Sequence, residues 1–458
     1  MSTTLTPYPE YKNTSLAWLN QVPSHWDLIR MKHLFTERVD KGHPDEPLLS
    51  ATQSKGVVRQ DKYENRTMVA TKNFESLKLV KRGDFVISLR SFEGGIEKAH
   101  DRGIISSAYT VLKPGKKASR GFFKHFFKSK PFIDALSLYV TGIRDGQNIN
   151  YSKLSRSNLP IPPLPEQHRI ARFLDIYTAR TDRLIRAKER LIELLEEQKQ
   201  AIIQQAVTRG LDPDVEMKDP GVDWLGEVPM HWQLNKLKHV SDVNPKKSMS
   251  RFGKSSDEIA TFLPMENVSE DGQVDTSIQK PISKLWDDYT YFESGDVIVA
   301  KITPCFENGK GAHLSNLGSP IGFGSTEFHV LRPNDETSNG NFLHYLLFSH
   351  VFREAGEAFM TGAAGQKRVS SRFVREFEFA LPPLEEQEKI AQFLNRHVKE
   401  IETAIAREEE LIGEIRAFCT SLISRVTTGK LDVREAEAAQ VEDGIPVDLD
   451  DQQVSAPA

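Results

Sequence analysis

Cysteine is almost missing: Cys305 and Cys419 are the only two in 458 residues. Two thiols build neither a disulfide framework nor a four-ligand zinc site, and such a chain suits a reducing cytoplasm. No run of 18 apolar residues occurs, so no membrane-spanning helix is expected. Residues 1–10 are polar and lack an apolar core segment, so no secretory signal is expected. A phosphate-binding Gly-x4-Gly-Lys-Ser/Thr loop is absent, and Gly362-Ala-Ala-Gly-Gln-Lys-Arg has the wrong spacing for one. There is no Gly-x-Gly-x-x-Gly after a strand. The Asn/Asp-Pro-Pro-aromatic tetrapeptide of amino-methyltransferases is missing too: Pro160-Ile-Pro-Pro-Leu lacks both its polar and its aromatic residue. The 13 histidines show no His-x-His or His-Glu-x-x-His spacing. A nuclease-like Glu197-Gln198-Lys199 lies on a strongly helical stretch, where such charges are ordinary surface. Nothing assembles an acid, a base and a nucleophile, so no catalytic residue and no metal ligand is assigned.

What is present is a repeat with a period of about 210–220 residues, a whole module written twice. Trp18, Pro23, His25 and Trp26 match Trp224, Pro229, His231 and Trp232. These blocks read as structural seats for the start of each lobe. Gly83-Asp84 and Gly295-Asp296 each precede a β-rich apolar run, a buried strand, and further strands are expected over 108–114 and 327–333. The second copy carries about seven extra residues around 306–313. Each copy then has a Phe- and Leu-rich helical stretch, a Thr-Gly at 141–142 or 361–362, and a polar loop. Last comes Pro-Pro-Leu-x-Glu-Gln-x-x-Ile-Ala-x-Phe-Leu, at 162–174 and 382–394 without a gap.

That last block opens a long amphipathic helix in each copy. Steps of four and three give Ile170, Leu174, Tyr177, Thr181, Leu184, Lys188, Leu191, Leu195, Gln198 and Ile202. In the second copy they give Ile390, Leu394, His397, Ile401, Ala404, Glu408, Leu411, Ile415, Phe418 and Leu422, again a heptad seam. Each helix has roughly 40 residues, about 60 Å at 1.5 Å per residue. It needs a partner for its seam: the other copy, antiparallel, or its own lobe. The expected fold class is α+β. Two similar α/β domains are separated by two long antiparallel helices forming a coiled coil, in a pseudo-two-fold internal duplication. The expected segments are 1–160 and 213–380 for the lobes, 161–212 and 381–432 for the helical regions, and 433–458 for an acidic disordered tail.

The net charge of −4 is unevenly spread. Residues 30–160 hold 25 Lys and Arg against 13 Asp and Glu, whereas 234–378 hold 16 against 19. A basic surplus fits a polyanion such as DNA, and equally a solvated surface. Base reading needs Arg, Lys, Asn, Gln or Ser/Thr at base edges, with further Lys and Arg on phosphates. The Thr-Gly loops supply these: Arg144, Gln147, Asn148, Asn150 and Lys153 in the first, Gln366, Lys367, Arg368 and Arg372 in the second. Strand ends add Arg90, Lys301 and Lys310. Matching positions with different residues suggest one reader aimed at two words. A self-sufficient enzyme and a coiled-coil scaffold that reads no sequence are the competing classes.

The twice-repeated Trp-Leu-x-x-Val-Pro-x-His-Trp opening, the Gly-Asp strand and the Pro-Pro-Leu-x-Glu-Gln helix start resemble the specificity subunits of Type I restriction–modification systems, from about residue 15 to 432. The resemblance implies a sequence-specific DNA-recognition subunit with two target-recognition domains, each reading half of a bipartite, asymmetric double-stranded site across a spacer set by the helices. It implies two methyltransferase subunits and restriction subunits as partners, with S-adenosylmethionine, ATP and magnesium belonging to those partners and none to this chain. Carried over, the helix-start motif assigns partner docking to Pro163, Glu166, Gln167, Pro383, Glu386 and Gln387. Half-sites one DNA turn apart lie about 34–36 Å from each other, within reach of a rod of about 60 Å.

Overall fold

The computed structural model describes residues 5–62, 74–141, 148–222, 224–247, 250, 252–363 and 365–436. Two long helices, Leu164–Arg209 and Leu384–Thr427, follow their proline pairs. Gly210 and Gly429 end them at φ 75° each, a left-handed conformation that glycine adopts without penalty. The chain divides into two compact units. One holds residues 1–188 and 409–458, the other 189–408. Each unit thus contains the start of one long helix and the end of the other.

The same framework is built twice. In the first unit a four-stranded sheet runs in the order Phe35–Glu37, Thr110–Pro114, Phe85–Ile87, Glu97–Lys98. In the second the order is Ser241–Val243, Phe328–Pro333, Val297–Ala300, Gly311–His313, and all pairings in both are antiparallel. Asp27–Arg30 pairs with Asn158–Ile161, as Gln233–Lys236 pairs with Glu378–Leu381. The Phe-rich helices are Arg120–Phe126 and Lys130–Leu136 in one unit, Gly340–Phe348 and His350–Ala358 in the other. The strands expected after Gly83-Asp84 and Gly295-Asp296, and over 108–114 and 327–333, are Phe85–Ile87, Val297–Ala300, Thr110–Pro114 and Phe328–Pro333. A second set of strands is also present in both units. Gln279–Pro281, Ile259–Leu263, Ile321–Gly324 and Thr290–Glu293 form one sheet with one parallel pairing. In the first unit Gly56–Arg59 pairs with Leu49–Thr52, Gly103–Ile105 pairs with Lys78–Val80, and a parallel Leu48–Ile104 bridge links the two pairs.

In each unit the helices pack antiparallel. Ile170 and Leu174 share a buried core with Leu422 and Val426, and the Tyr177 and Phe418 rings lie 6.3 Å apart. In the other unit Ile203, Ala206 and Val207 share a core with Ile390, Leu394 and Val398. The seam departs from the strict heptad at several steps. Leu184, Leu191 and Phe418 are exposed, while Ile185, Val398, Ile405 and Ile412 are buried. A helix turns every 3.6 residues rather than 3.5, so an inward stripe drifts along the helix unless it supercoils fully.

Trp26 and Trp232 are fully buried, as the seat reading expects. A Cβ on Gly429 would approach Trp26, and one on Gly210 would lie 3.3 Å from Trp232, so glycine lets each helix end close on its indole. The packed chain also runs beyond 432: Val433 and Ala436 are buried, and the Asp432 amide donates to the Thr6 carbonyl. Two residues of the expected disordered tail therefore belong to the core, and 437–458 lie outside the described residues.

Candidate nucleic-acid interface

A short antiparallel pairing flanks each Thr-Gly loop. In the first unit Thr141 pairs with Asn148 and Val140 with Ile149. In the second Thr361 and Arg368 exchange both backbone hydrogen bonds, at 2.9 and 3.1 Å. The residues behind each turn correspond one by one. Ile149 and Val369 are buried anchors. Asn150 and Ser370 cap the following helices, Tyr151–Leu154 and Ser371–Glu376, by accepting from Lys153 and Phe373 amides at 3.1 Å. Asn150 thus spends its side-chain oxygen on the helix start rather than offering it outward. Asn148 and Arg368, one residue before the anchors, are exposed. Arg144 and Gln147 lie outside the described residues.

The hairpin sits against the end of the strand that begins with Gly-Asp. The Val369 amide donates to the Lys301 carbonyl at 2.8 Å, and the Thr303 amide to Lys367 at 3.0 Å. In the first unit the helix Ser91–Gly94, which follows Arg90, contacts Asn148–Ile149. The structure therefore gathers Arg90 with Asn148 and Asn150, and Lys301 with Lys367 and Arg368. Arg90 is exposed, its side chain 3.9 Å from Glu93. Lys301 is half-buried, and half-buried Lys310 reaches the Met265 carbonyl at 3.4 Å. Gln366 and Lys367 are exposed at the turn, and Lys153 is exposed on its short helix. Arg372 lines a separate cleft of about 800 Å³ with Trp224, Phe359 and Phe377.

A residue missed in the sequence completes the second hairpin. Glu327 grips Arg368 with both carboxylate oxygens, Nε and Nη2 donating at 2.8–3.2 Å. The Arg368 guanidinium holds the Glu327 carboxyl below the usual carboxylate range. Its signal was faint, a lone acid at the start of a strand.

A second ion pair lies beneath each strand. Buried Asp84 accepts from Arg38 at 2.8 and 3.1 Å, and buried Asp296 from Arg332 at 2.8 and 2.9 Å. The arginines come from different parts of the duplicated sheet, Arg38 just after Phe35–Glu37 and Arg332 within Phe328–Pro333. By strand register the Arg38 position is Asn244 in the second unit, and the Arg332 position is Lys113 in the first. The chemistry survives while its donor has moved.

The helix-start motif turns inward. Gln167 accepts from the Ser119 amide at 2.9 Å and donates to the Lys117 and Pro162 carbonyls at 3.0 Å. Gln387 does the same with Asn339, Thr337 and Pro382. Glu166 is buried and accepts from Tyr8, His25 and Trp26, and Glu386 accepts from His231 at 2.8 Å. These side chains brace helix to lobe. Pro163 and Pro383 are exposed. Among the described residues no three His, Cys, Asp or Glu side chains are grouped to hold a metal ion, and no helix is long and apolar enough to cross a membrane.

Two lobes on one framework, each with a polar hairpin at the same strand end, define a duplicated recognition module. The family model for the Type I restriction modification DNA specificity domain matches residues 31–194 and 229–411, and the chain belongs to that family. Over 170 residues it is 40% identical to the Type I restriction enzyme EcoAI specificity subunit of Escherichia coli, a match covering 36% of this chain and 27% of that one. The chain thus matches about a quarter of that relative's length. It is 24% identical over 356 residues to the MjaVIII specificity subunit of Methanocaldococcus jannaschii, covering 73% and 75%. A chain from a solved study of complex assembly and conformational transition in the type I R-M system shares the fold, with TM-score 0.65, 16% identity, and coverage of 90% of this chain and 99% of that one.

Proposed function

We propose that this chain is the DNA-reading subunit of a Type I restriction–modification system, and that each unit reads one half of a bipartite, asymmetric target. The observation that carries this is the pair of hairpins: the same position in both units, an exposed side chain at the same register, and a different residue in each, Asn148 and Arg368. A scaffold would have no reason to vary these positions while keeping Ile149 and Val369 as anchors. In this reading Arg90, Lys153, Lys301, Lys310, Gln366 and Lys367 supply phosphate or base contacts.

The partners in this reading are methyltransferase and restriction subunits working on DNA in the cytoplasm. S-adenosylmethionine, ATP and magnesium belong to them. Docking falls to the exposed Pro163 and Pro383 edges of the helix starts, which the buried glutamines hold in place. The test is methyl transfer to DNA by the purified chain alone and after adding its methyltransferase subunit. Transfer only with the partner supports the reading; transfer by the chain alone contradicts it.

A further inference from the structure

Arg368 and Glu327 form a pair whose counterpart in the other copy has changed on both sides. Gly83 and Gly295 are equivalent, so Ile87 corresponds to Val299. Ile87 pairs with Thr110 and Val299 with His329. Two residues earlier stand Ala108 and Glu327. Across from them the hairpin offers Asn148 in the first unit and Arg368 in the second. One copy therefore has an exposed Ala108 and Asn148, and the other an acid and an arginine. The two positions differ together, as parts of one device.

The geometry says what the device does. Guanidinium carries five N–H donors in a flat fork. Glu327 takes the side edge, Nε and Nη2. Nη1 faces the Gln366 carbonyl at a long 3.4 Å. The end edge, with one hydrogen each from Nη1 and Nη2, is not the edge that Glu327 takes, and 44% of the side chain is exposed. Two parallel donors match the O6 and N7 acceptors of guanine in the major groove. A mobile arginine loses rotamer freedom on binding; one already clamped loses less. Asn148 offers one donor and one acceptor, the match for adenine N6 and N7.

We infer that Arg368 reads a guanine with Glu327 as its positioning residue, and that Asn148 reads an adenine at the equivalent step of the other half-target. This rests on the proposal that the chain reads DNA.

The test is selection of bound sequences from a randomised duplex pool by the full chain and its variants, scored base pair by base pair. The wild type selects guanine at one position of one half by about tenfold or more. Arg368→Gln loses that preference at that position only. Glu327→Gln, which keeps the fold but weakens the clamp, lowers it there without touching the neighbouring bases. Ala108→Glu with Asn148→Arg moves guanine preference into the other half. Unchanged preference in Arg368→Gln and in the transplant overturns the inference while leaving DNA reading intact. Information lost evenly across the whole half-target also overturns it, because that is the signature of a hairpin latch. A wild type with no preference at all overturns the DNA-reading proposal, and the inference with it.

Discussion

The Trp26 indole donates to Glu166 at 2.9 Å, the first side chain of a long helix to reach back into its lobe. Tyr8 and His25 donate to the same carboxylate at 2.7 and 2.8 Å. Among the described residues the equivalent Trp232 N–H is buried without a partner, and Glu386 accepts from His231. The duplication has kept the residues and lost the hydrogen bond in one copy.

Glu166→Ala therefore costs more than Glu386→Ala. Three donors, two of them on buried rings, lose their acceptor in the first case, for about 2–4 kcal/mol. The second removes one contact to a half-exposed histidine and costs within about 1 kcal/mol. Urea unfolding midpoints at neutral pH check the order.

The long helices make a sharper forecast. Ile405→Ala removes a buried seam residue and lowers stability by about 2–4 kcal/mol. Leu191→Ala, on the exposed side, stays within about 0.5 kcal/mol. The strict heptad predicts the reverse emphasis, since it counts Leu191 in the seam. Thermal and urea unfolding of the two variants decide between them.

Buried histidines give the protein an acid-side weakness. Burial pushes His344 down to about 3, with His313 adding to the effect, and burial also lowers His313 and His329. The folded state resists protons that the unfolded chain takes up below about 6.5. For His344 this contribution is complete above that pH and falls as pH drops from about 6.5 toward 3, by up to about 1.4 kcal/mol per pH unit, and His313 and His329 act in the same direction. His344→Leu flattens this slope in equilibrium unfolding measured from pH 7 to 4.5; an unchanged slope counts against it.

Much of this was legible from residues alone. Gly83-Asp84 and Gly295-Asp296 announced equivalent strands because a turn glycine followed by an apolar run has few other uses. The proline pairs and Gly210 and Gly429 bounded the long helices for the same reason. The inward role of Gln167 and Gln387 was not legible, because glutamine at a helix start suits solvent, a partner or a buried bracket equally well. Only the nearby 117–119 and 337–339 backbones, distant in sequence, decide it. Glu327 was hidden likewise: its importance comes from Arg368, 41 residues away. The second sheet of each unit was not foreseen, since its short strands fall between the repeated blocks rather than within them.

Gln167→Ala and Gln387→Ala test those brackets. Each removes three buried or partly buried hydrogen bonds and strands backbone groups, for about 2–4 kcal/mol at either site. Faster amide exchange at Ser119 or Asn339, confined to the altered unit, is the expected signature; no local change contradicts the bracket.

Two readers on one frame leave a two-part mark on methylated DNA, and a single measurement detects it. It is the map of methylated motifs in DNA exposed to this chain with its methyltransferase subunit, for the wild type and for Asn148→Ala. The account predicts a two-part asymmetric motif with a fixed gap, and Asn148→Ala relaxing one part while the other stays intact. A single uninterrupted motif, or both parts degrading together, would contradict it.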